Sequence, residues 1–401
     1  MKWQSYKLKE VGEVVTGNTP PTTQREYYGT QYKFIKPTDM REGQRYVPIT
    51  EEYYSELAYQ KYRKSLLPVN TPCVVTIGSL GKKMCLTDEP SFTNQAVNAV
   101  IPNENFDGVF LYYCLRTRLP YVKQLDSGTT SGRENVSKSS FSNIVIEAPS
   151  LAIQKRIASI LSAYDNLIEN NNKRIKILEQ MAEYLYKEWF VRFRFPGHET
   201  TPFENGIPKG WKIAVLGDFG RIETGKTPSM EKTDNYGNDF LFVKTPDMHN
   251  KIFVSNTDEK LSNIGHLSQS KKLLPANSIM VSCIGTAGVV AINTKPAHTN
   301  QQINSIIIKD HQLLEWLFFT CKSLKETINL FGATGATMTN LSKGKFEKLK
   351  VIRPNHEQIC SFHKILSPVF SKINCLQTQN QNLIKQRDLL LPRLMSGKLA
   401  V

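Results

Sequence analysis

The sequence predicts an α+β protein: two copies of one domain, each with mixed, largely antiparallel sheet, separated by two long helices that pair as an antiparallel coiled coil about an approximate twofold axis. Three observations predict it. The chain matches itself in order at a nearly constant offset. Each copy is a succession of short β-branched and aromatic runs split by Gly, Pro, Asn and Ser. Each copy is followed by a heptad seam.

With Trp3 placed over Trp211 the halves run in step. Leu8 meets Leu216, Gly12 meets Gly220, Thr16-Gly17 meets Thr224-Gly225, Thr19-Pro20 meets Thr227-Pro228, and Tyr28-Gly29 meets Tyr236-Gly237. FIKPTDM at 34–40 faces FVKTPDM at 242–248, and NQAVN at 94–98 faces NQQIN at 300–304. Near the end of each copy Ser137-Lys138 and Phe141 match Ser342-Lys343 and Phe346. So many ordered matches make the chain a tandem duplication. The expected division is a first domain over 1–150, a first helical region over 151–195, a second domain over 196–353 and a second helical region over 354–401.

In the first helical region Ile157, Leu161, Tyr164, Ile168, Asn171, Ile175, Leu178, Ala182, Leu185 and Trp189 alternate in steps of four and three. In the second, Ile359, Phe362, Leu366, Val369, Ile373, Leu376, Asn380, Leu383, Arg387 and Leu390 alternate in steps of three and four. Each seam carries one Asn, which costs stability but penalises wrong registers. Ser367 and Pro368 suggest that a short helix ends there before a long one begins. Two long helices separated by a domain pair most simply antiparallel. Forty residues of helix extend roughly 60 Å, which predicts the domains at opposite ends of a rod.

The chain has 401 residues and a net charge of +15, enough length for two or three cores and a basic excess that points to a polyanionic partner. Its seven cysteines lack metal spacing and read as free thiols of a reducing compartment. The opening MKWQSYKLKEVGEVV is too polar for a signal peptide, and no run approaches the roughly 18 apolar residues of a membrane span. A cytoplasmic protein without membrane contact is expected.

Two motifs invite a catalytic reading. Residues 220–227, GRIETGKT, fit the phosphate-binding pattern G-x-x-x-x-G-K-T, but Pro228 follows at once and the twin has Asn18 for the lysine. Asp247 with Asp258-Glu259-Lys260 resembles a nuclease pattern, but its twin, Asp39 with Glu51-Glu52-Tyr53, lacks the lysine. The histidines never take metal-ligand spacing, and no Asp/Asn-Pro-Pro-Tyr loop of an amino-methyltransferase occurs. No catalytic residue and no metal ligand is assigned, which disfavours the alternative of a fused or nucleotide-dependent DNA-processing enzyme.

Base reading needs donors and acceptors, while Lys and Arg hold phosphates. The candidates are polar positions that recur in both halves: Lys36 and Lys244; the turn Gly78–Lys83, with Gly78, Lys82 and Lys83, opposite Ile284–Gly288, with Thr286; and Asn94-Gln95 opposite Asn300-Gln301. Lys226 belongs with them as a phosphate contact, and the Gly-rich loops 127–138 and 332–343 add Arg133, Lys138 and Lys343. Trp189, Phe190 and Phe193 with Leu389, Leu390 and Leu394 exceed what a two-helix seam requires. They are either docking surfaces for other subunits or packing against the adjoining domain.

The two domain openings, LKEVGEVVTGNTPPT at 8–22 and LGDFGRIETGKTPS at 216–229, with EWFVRFRFPGHE at 188–199 and RDLLLPRLMSGKLAV at 387–401, resemble the type I restriction-modification specificity subunit over the whole chain. The resemblance implies two target-recognition domains, each reading one part of a bipartite double-stranded DNA site. It implies helical regions that act as spacer and dock two methyltransferase (modification) subunits, joined in the full complex by restriction/translocase subunits. The chain itself would then need no cofactor, with S-adenosylmethionine, ATP and Mg confined to the partners. One departure is the Glu-Gln pair that opens each helical region, kept as Glu357-Gln358 but replaced by Ile153-Gln154 in the first.

Overall fold

The structure, a computed structural model, describes residues 3–126, 134–332 and 340–401. It divides into two compact units, Met1–Glu169 with Gln381–Val401, and Asn170–Asn380. These cut across the four sequence segments, because each long helix gives one half to each unit.

In the first unit a four-stranded antiparallel sheet takes the order Gly12–Thr16, Val97–Pro102, Pro72–Val75, Met84–Leu86. A three-stranded sheet has Tyr28–Ile35 at its centre, antiparallel to Glu52–Tyr54 and parallel to Ser91–Thr93. Gln4–Lys7 closes the domain by pairing with Val145–Ala148. The helix Gly108–Gln124, capped by the Asp107 carboxylate on the Phe110 amide, packs on the Pro72–Val75 and Met84–Leu86 strands. Those strands are apolar throughout and buried on both faces, which is why their sequence runs continuously hydrophobic instead of alternating.

The second unit repeats this framework strand for strand. Its main sheet runs Gly220–Thr224, Ile303–Ile308, Ile279–Ser282, Val290–Asn293 and adds Phe253–Val254 as a parallel edge strand. Tyr236–Val243 lies between Lys260–Leu261 and Ala297–Thr299, again antiparallel to one and parallel to the other. Lys212–Val215 pairs with Lys350–Arg353. Two helices, Leu314–Ser323 and Lys325–Gly332, stand where the first unit has one.

The long helices are Leu151–Tyr186, ending in a π-turn over Lys187–Val191, and His356–Met395. In the first unit Ile157 and Leu161 share a core with Leu391 and Leu394. In the second, Ile175, Ala182 and Tyr186 share one with Phe362, Leu366, Ile373 and Leu376. Within each unit the helix halves therefore run antiparallel, as the seams predict. The expected break at Ser367-Pro368 does not occur: the helix His356–Met395 runs through Pro368. The proline ring faces solvent while Leu366 and Phe370 on either side are buried, so the core holds the helix although one backbone hydrogen bond is lost. The seam asparagines bond each other, Asn171 Nδ2 donating to Asn380 Oδ1 at 3.0 Å and Asn380 Nδ2 to Asn172 Oδ1 at 2.8 Å. A shift of either helix breaks this pair, so it fixes the register. The arginine within the second seam is explained too: Arg387 Nη1 donates to Asp165 Oδ1 at 2.5 Å, and Asp165 Oδ2 accepts from the Tyr113 hydroxyl.

Candidate nucleic-acid interface

An edge strand of each main sheet, Gly12–Thr16 or Gly220–Thr224, ends in Thr and is followed by Gly, and the same bonds fix the adjoining turn in both units. Thr16 Oγ1 donates to Asn98 Oδ1 at 2.5 Å, and Thr224 Oγ1 to Asn304 Oδ1 at 2.6 Å. A Cβ on Gly17 would lie 2.0 Å from the Thr93 carbonyl oxygen, and one on Gly225 2.2 Å from that of Asn300, so only glycine fits. The next amides, Asn18 and Lys226, donate to Thr93 O and Thr299 O at 2.9 Å each. The GRIETGKT segment is thus a β-strand and a strand-docked turn. Gly225 and Lys226 give their N–H groups to the protein, and no helix N-terminus follows to meet a phosphate.

Beyond that turn, residues far apart in sequence converge. In the first unit the Gly78 amide donates to Glu134 O and the Val136 amide to Thr76 O, both at 2.9 Å. The Thr76 amide donates to Ala96 O at 2.8 Å, and that of Asn94 to Ile35 O at 3.3 Å. In the second unit Ile284 bridges Asn340, Leu341 donates to Cys283 O, Cys283 to Gln302 O, and Asn300 to Val243 O. The sequence candidates Lys36, Gly78, Asn94 and Gln95, and their counterparts Lys244, Thr286, Asn300 and Gln301, are thereby gathered at one corner of each domain.

Their roles within that corner differ. Asn94 and Asn300 are turn formers, each accepting at Oδ1 from the amide two residues on, Ala96 and Gln302. Gln95 and Gln301 are exposed, and each is oriented by a threonine that sequence reasoning left out of the site: Thr19 Oγ1 donates to Gln95 Oε1, and Thr227 Oγ1 to Gln301 Oε1. The duplicated Thr-Pro carried that signal. Thr286 is exposed, and its carbonyl accepts from the Ser282 hydroxyl at 2.6 Å.

Lys36 is engaged by Glu51 and Glu52 at 3.0 and 3.1 Å; burial opposes its charge, but the two carboxylates hold the ammonium above its ordinary range. Lys244 pairs with Glu259. In both units the nearby Asp closes the turn: Asp39 accepts from the Lys36 and Glu51 amides, and Asp247 from those of Lys244 and Asp258. Both carboxylate oxygens of Asp247 are so occupied, which accounts for the nuclease-like pattern as a turn. Lys83 donates to Pro37 O at 2.8 Å, while Lys82 and Lys226 are exposed.

Lys138 and Lys343 stand at the first positions of two matching short helices, Lys138–Ser142 and Lys343–Glu347, and both are exposed. Arg133 lies outside the described residues. Lys138 also lines a cleft with Lys61, Arg63 and Lys64, three cations that sequence reasoning missed although KYRK at 61–64 displays them.

The six apolar residues offered as docking surface divide. Trp189, Phe190 and Leu394 are buried in the unit cores, Phe190 against Trp211 and Phe362, so packing explains them and they form no docking face. Phe193 packs edge-on against Trp211 and Phe203, and Leu390 packs on the first core. Leu389 is exposed. Further along the first helix Ile177, Met181 and Tyr184 are exposed at helical spacing, and no heptad reading singled them out.

Fold and corner together define a duplicated α+β chain that presents one polar surface twice. The model of the type I restriction modification DNA specificity domain matches residues 1–180 and 208–386. The type I restriction enzyme HindI specificity subunit of Haemophilus influenzae is 32% identical over 362 residues, covering 74% of this chain and 79% of the relative. The MjaIX specificity subunit of Methanocaldococcus jannaschii is 28% identical, covering 100% of this chain and 94% of the relative. The crystal structure of a type I restriction-modification S subunit from M. genitalium superposes with a TM-score of 0.64 over 98% of this chain and 96% of its own, at 16% identity, and so shows the same fold. The chain belongs to the type I restriction-modification DNA specificity family and is a non-catalytic specificity subunit of such a system. Among the described residues no helix is long and apolar enough to cross a membrane.

Proposed function

We propose that this subunit recognises a bipartite double-stranded DNA target, one half-site per domain, and docks two modification subunits through its helical regions. One observation carries the reading. The same corner, with its Thr–Gln pair, its turn asparagine and its bridge from Ile77 to Asn135 or from Ile284 to Asn340, is built twice. Backbone geometry is kept between the copies while some exposed side chains beside the corner differ, Asn18 against Lys226 and Glu13 against Arg221, as modular readout needs. The exposed apolar side chains Ile177, Met181 and Tyr184 in one unit, and Ile384 and Leu389 in the other, supply docking faces in place of the buried aromatics. S-adenosylmethionine, ATP and Mg belong to the modification and restriction/translocase partners in this reading. Exchanging residues 1–150 for the matching domain of a relative tests it. Methylation mapping is expected to show one half-site changed and the other retained; two changed half-sites rule out modular reading.

A further inference from the structure

The first unit holds a cleft of about 690 Å³ between the strand Gly12–Thr16 and the segment 60–65. Four cations, Lys61, Arg63, Lys64 and Lys138, line it against one carboxylate, Glu13. Its wall is fixed from within. The 3₁₀ turn Arg63–Ser65 is anchored by the buried Ser65, whose hydroxyl donates to Tyr62 O at 2.8 Å and accepts from Asn18 Nδ2 at 3.2 Å. The Lys61 ammonium donates to the Tyr27 hydroxyl at 2.8 Å and lies 4.4 Å from the centre of that ring, which leaves its charge in place. Arg63, Lys64 and Lys138 are exposed and form no ion pair with a described residue.

The same place in the second unit is built from different charges. Arg221 stands for Glu13, Glu223 for Val15, Lys226 for Asn18 and Lys272 for Ser65, while Lys64 and Lys138 are kept as Lys271 and Lys343. Glu223 is buried and takes both cations, Arg221 Nη1 at 2.7 Å and Lys272 Nζ at 2.5 Å. In one copy the cleft carries four cations against one exposed carboxylate; in the other, a buried carboxylate engages two of the cations.

We propose that the cleft of the first unit holds phosphates of the DNA backbone, and that in the second unit the Arg221–Glu223–Lys272 triad keeps two of the cations there from phosphates. The two domains then contribute unequally to the electrostatic part of DNA binding. This rests on the reading of the chain as the DNA-contacting subunit. A phosphate neutralised by a cation releases counterions, so each such contact adds about 0.9 to the slope of log affinity against log salt.

The test uses the chain assembled with its modification subunits and a random-sequence duplex, titrated between about 50 and 200 mM salt. Lys64→Ala is expected to lower the slope by about one, and the triple variant Arg63→Ala, Lys64→Ala, Lys138→Ala by about two to three, while Lys64→Arg keeps it. Glu223→Gln frees Arg221 and Lys272 and is expected to raise the slope. The substituted cations are exposed, so thermal melting should be unchanged for Lys64→Ala, which alone suffices if the triple variant does not assemble. Normal duplex binding with an unchanged slope in Lys64→Ala and an unchanged slope in Glu223→Gln overturns the cleft and leaves the DNA-binding reading standing. A wild-type assembly that binds no duplex overturns both.

Discussion

Tyr32, Tyr59 and Phe92 pack together in the first unit, Tyr59 stacked on Tyr32 and Phe92 edge-on to it; in the second unit Phe240, His266 and His298 take the same three places in the same two geometries. The helix halves are likewise closed by different means. In the first unit a buried ion pair, Asp165 with Arg387, joins them and borrows the Tyr113 hydroxyl. In the second, Tyr186, Trp189 and Phe190 surround Phe362. The shared strands and the turn bonds beside them are kept, with Phe253–Val254 added in the second unit. What differs is whatever only has to fill a volume or balance a charge. The duplication therefore preserves backbone geometry strictly, and leaves each copy its own electrostatics and its own weak points.

The largest consequence falls on the ion pair. Both partners are about 5% exposed, so neither can be hydrated if the other is removed. Arg387→Ala should leave the Asp165 carboxylate buried without its cation and destabilise the first unit by about 3–5 kcal/mol. Replacing both partners at once, Asp165→Leu with Arg387→Met, should recover most of that loss. Hydrogen exchange resolves the units: protection should fall in the helix Gly108–Gln124 and persist in Leu314–Ser323. Equal loss in both helices would show that the units do not hold themselves together separately.

A smaller effect separates the aromatic trios. Burial, and then the neighbouring His266, push His298 down from 6.5 to about 4. Its ring is fully buried, and Nε2 meets His266 Nδ1 at 3.0 Å. The unfolded chain thus takes up the proton near pH 6.5 and the folded one only near 4. The second unit should lose stability as pH falls through that window, by on the order of 3 kcal/mol, and lose no more from this group below it. His298→Phe, which installs the residue the first unit carries as Phe92, should flatten the dependence. Denaturant melts of the variant at pH 7 and pH 5 measure it; an unchanged acid loss would place the sensitivity elsewhere.

These contrasts also explain what the sequence disclosed. The duplication was legible because the turn chemistry, Thr-Gly, Thr-Pro, Lys-x-x-Asp and the paired Asn-Gln, repeats letter for letter and each element has one structural use. The seams were legible because burial along a helix pair is periodic, and even Arg387 held its place in the pattern. Trp189 and Phe190 were ambiguous because an apolar excess looks the same whether a neighbouring domain or another subunit covers it. Trp211 and Phe362 settle it, and neither is near them in sequence. Pro368 misled because local preference favours a break, whereas the buried Leu366 and Phe370 decide the outcome. The basic cleft escaped because KYRK at 61–64 faces SQSK at 268–271, so matching the copies does not single it out, and only the fold brings Lys138 to Lys64.

The smallest expected effect tests the most suggestive motif. Lys226 sits in the letters of a phosphate-binding loop, yet its twin is Asn18 and the two amides make the same bond to the neighbouring strand. If the framework alone explains the motif, Lys226→Asn merely copies the first unit into the second. The side chain is exposed and makes no ion pair with a described residue, so stability should stay within about 0.5 kcal/mol of the parent. One exposed cation is removed, so DNA affinity should fall modestly, most at low salt, with the salt slope reduced by about one or less. Any nucleotide-dependent activity of the whole complex should persist, because Gly225 and Lys226 keep their N–H groups on Ile303 and Thr299 in either form. Titration of the purified subunit with ATP reads the opposite case. Saturable ATP binding by the parent that disappears in Lys226→Asn would mean that the second copy acquired a nucleotide site the first never had.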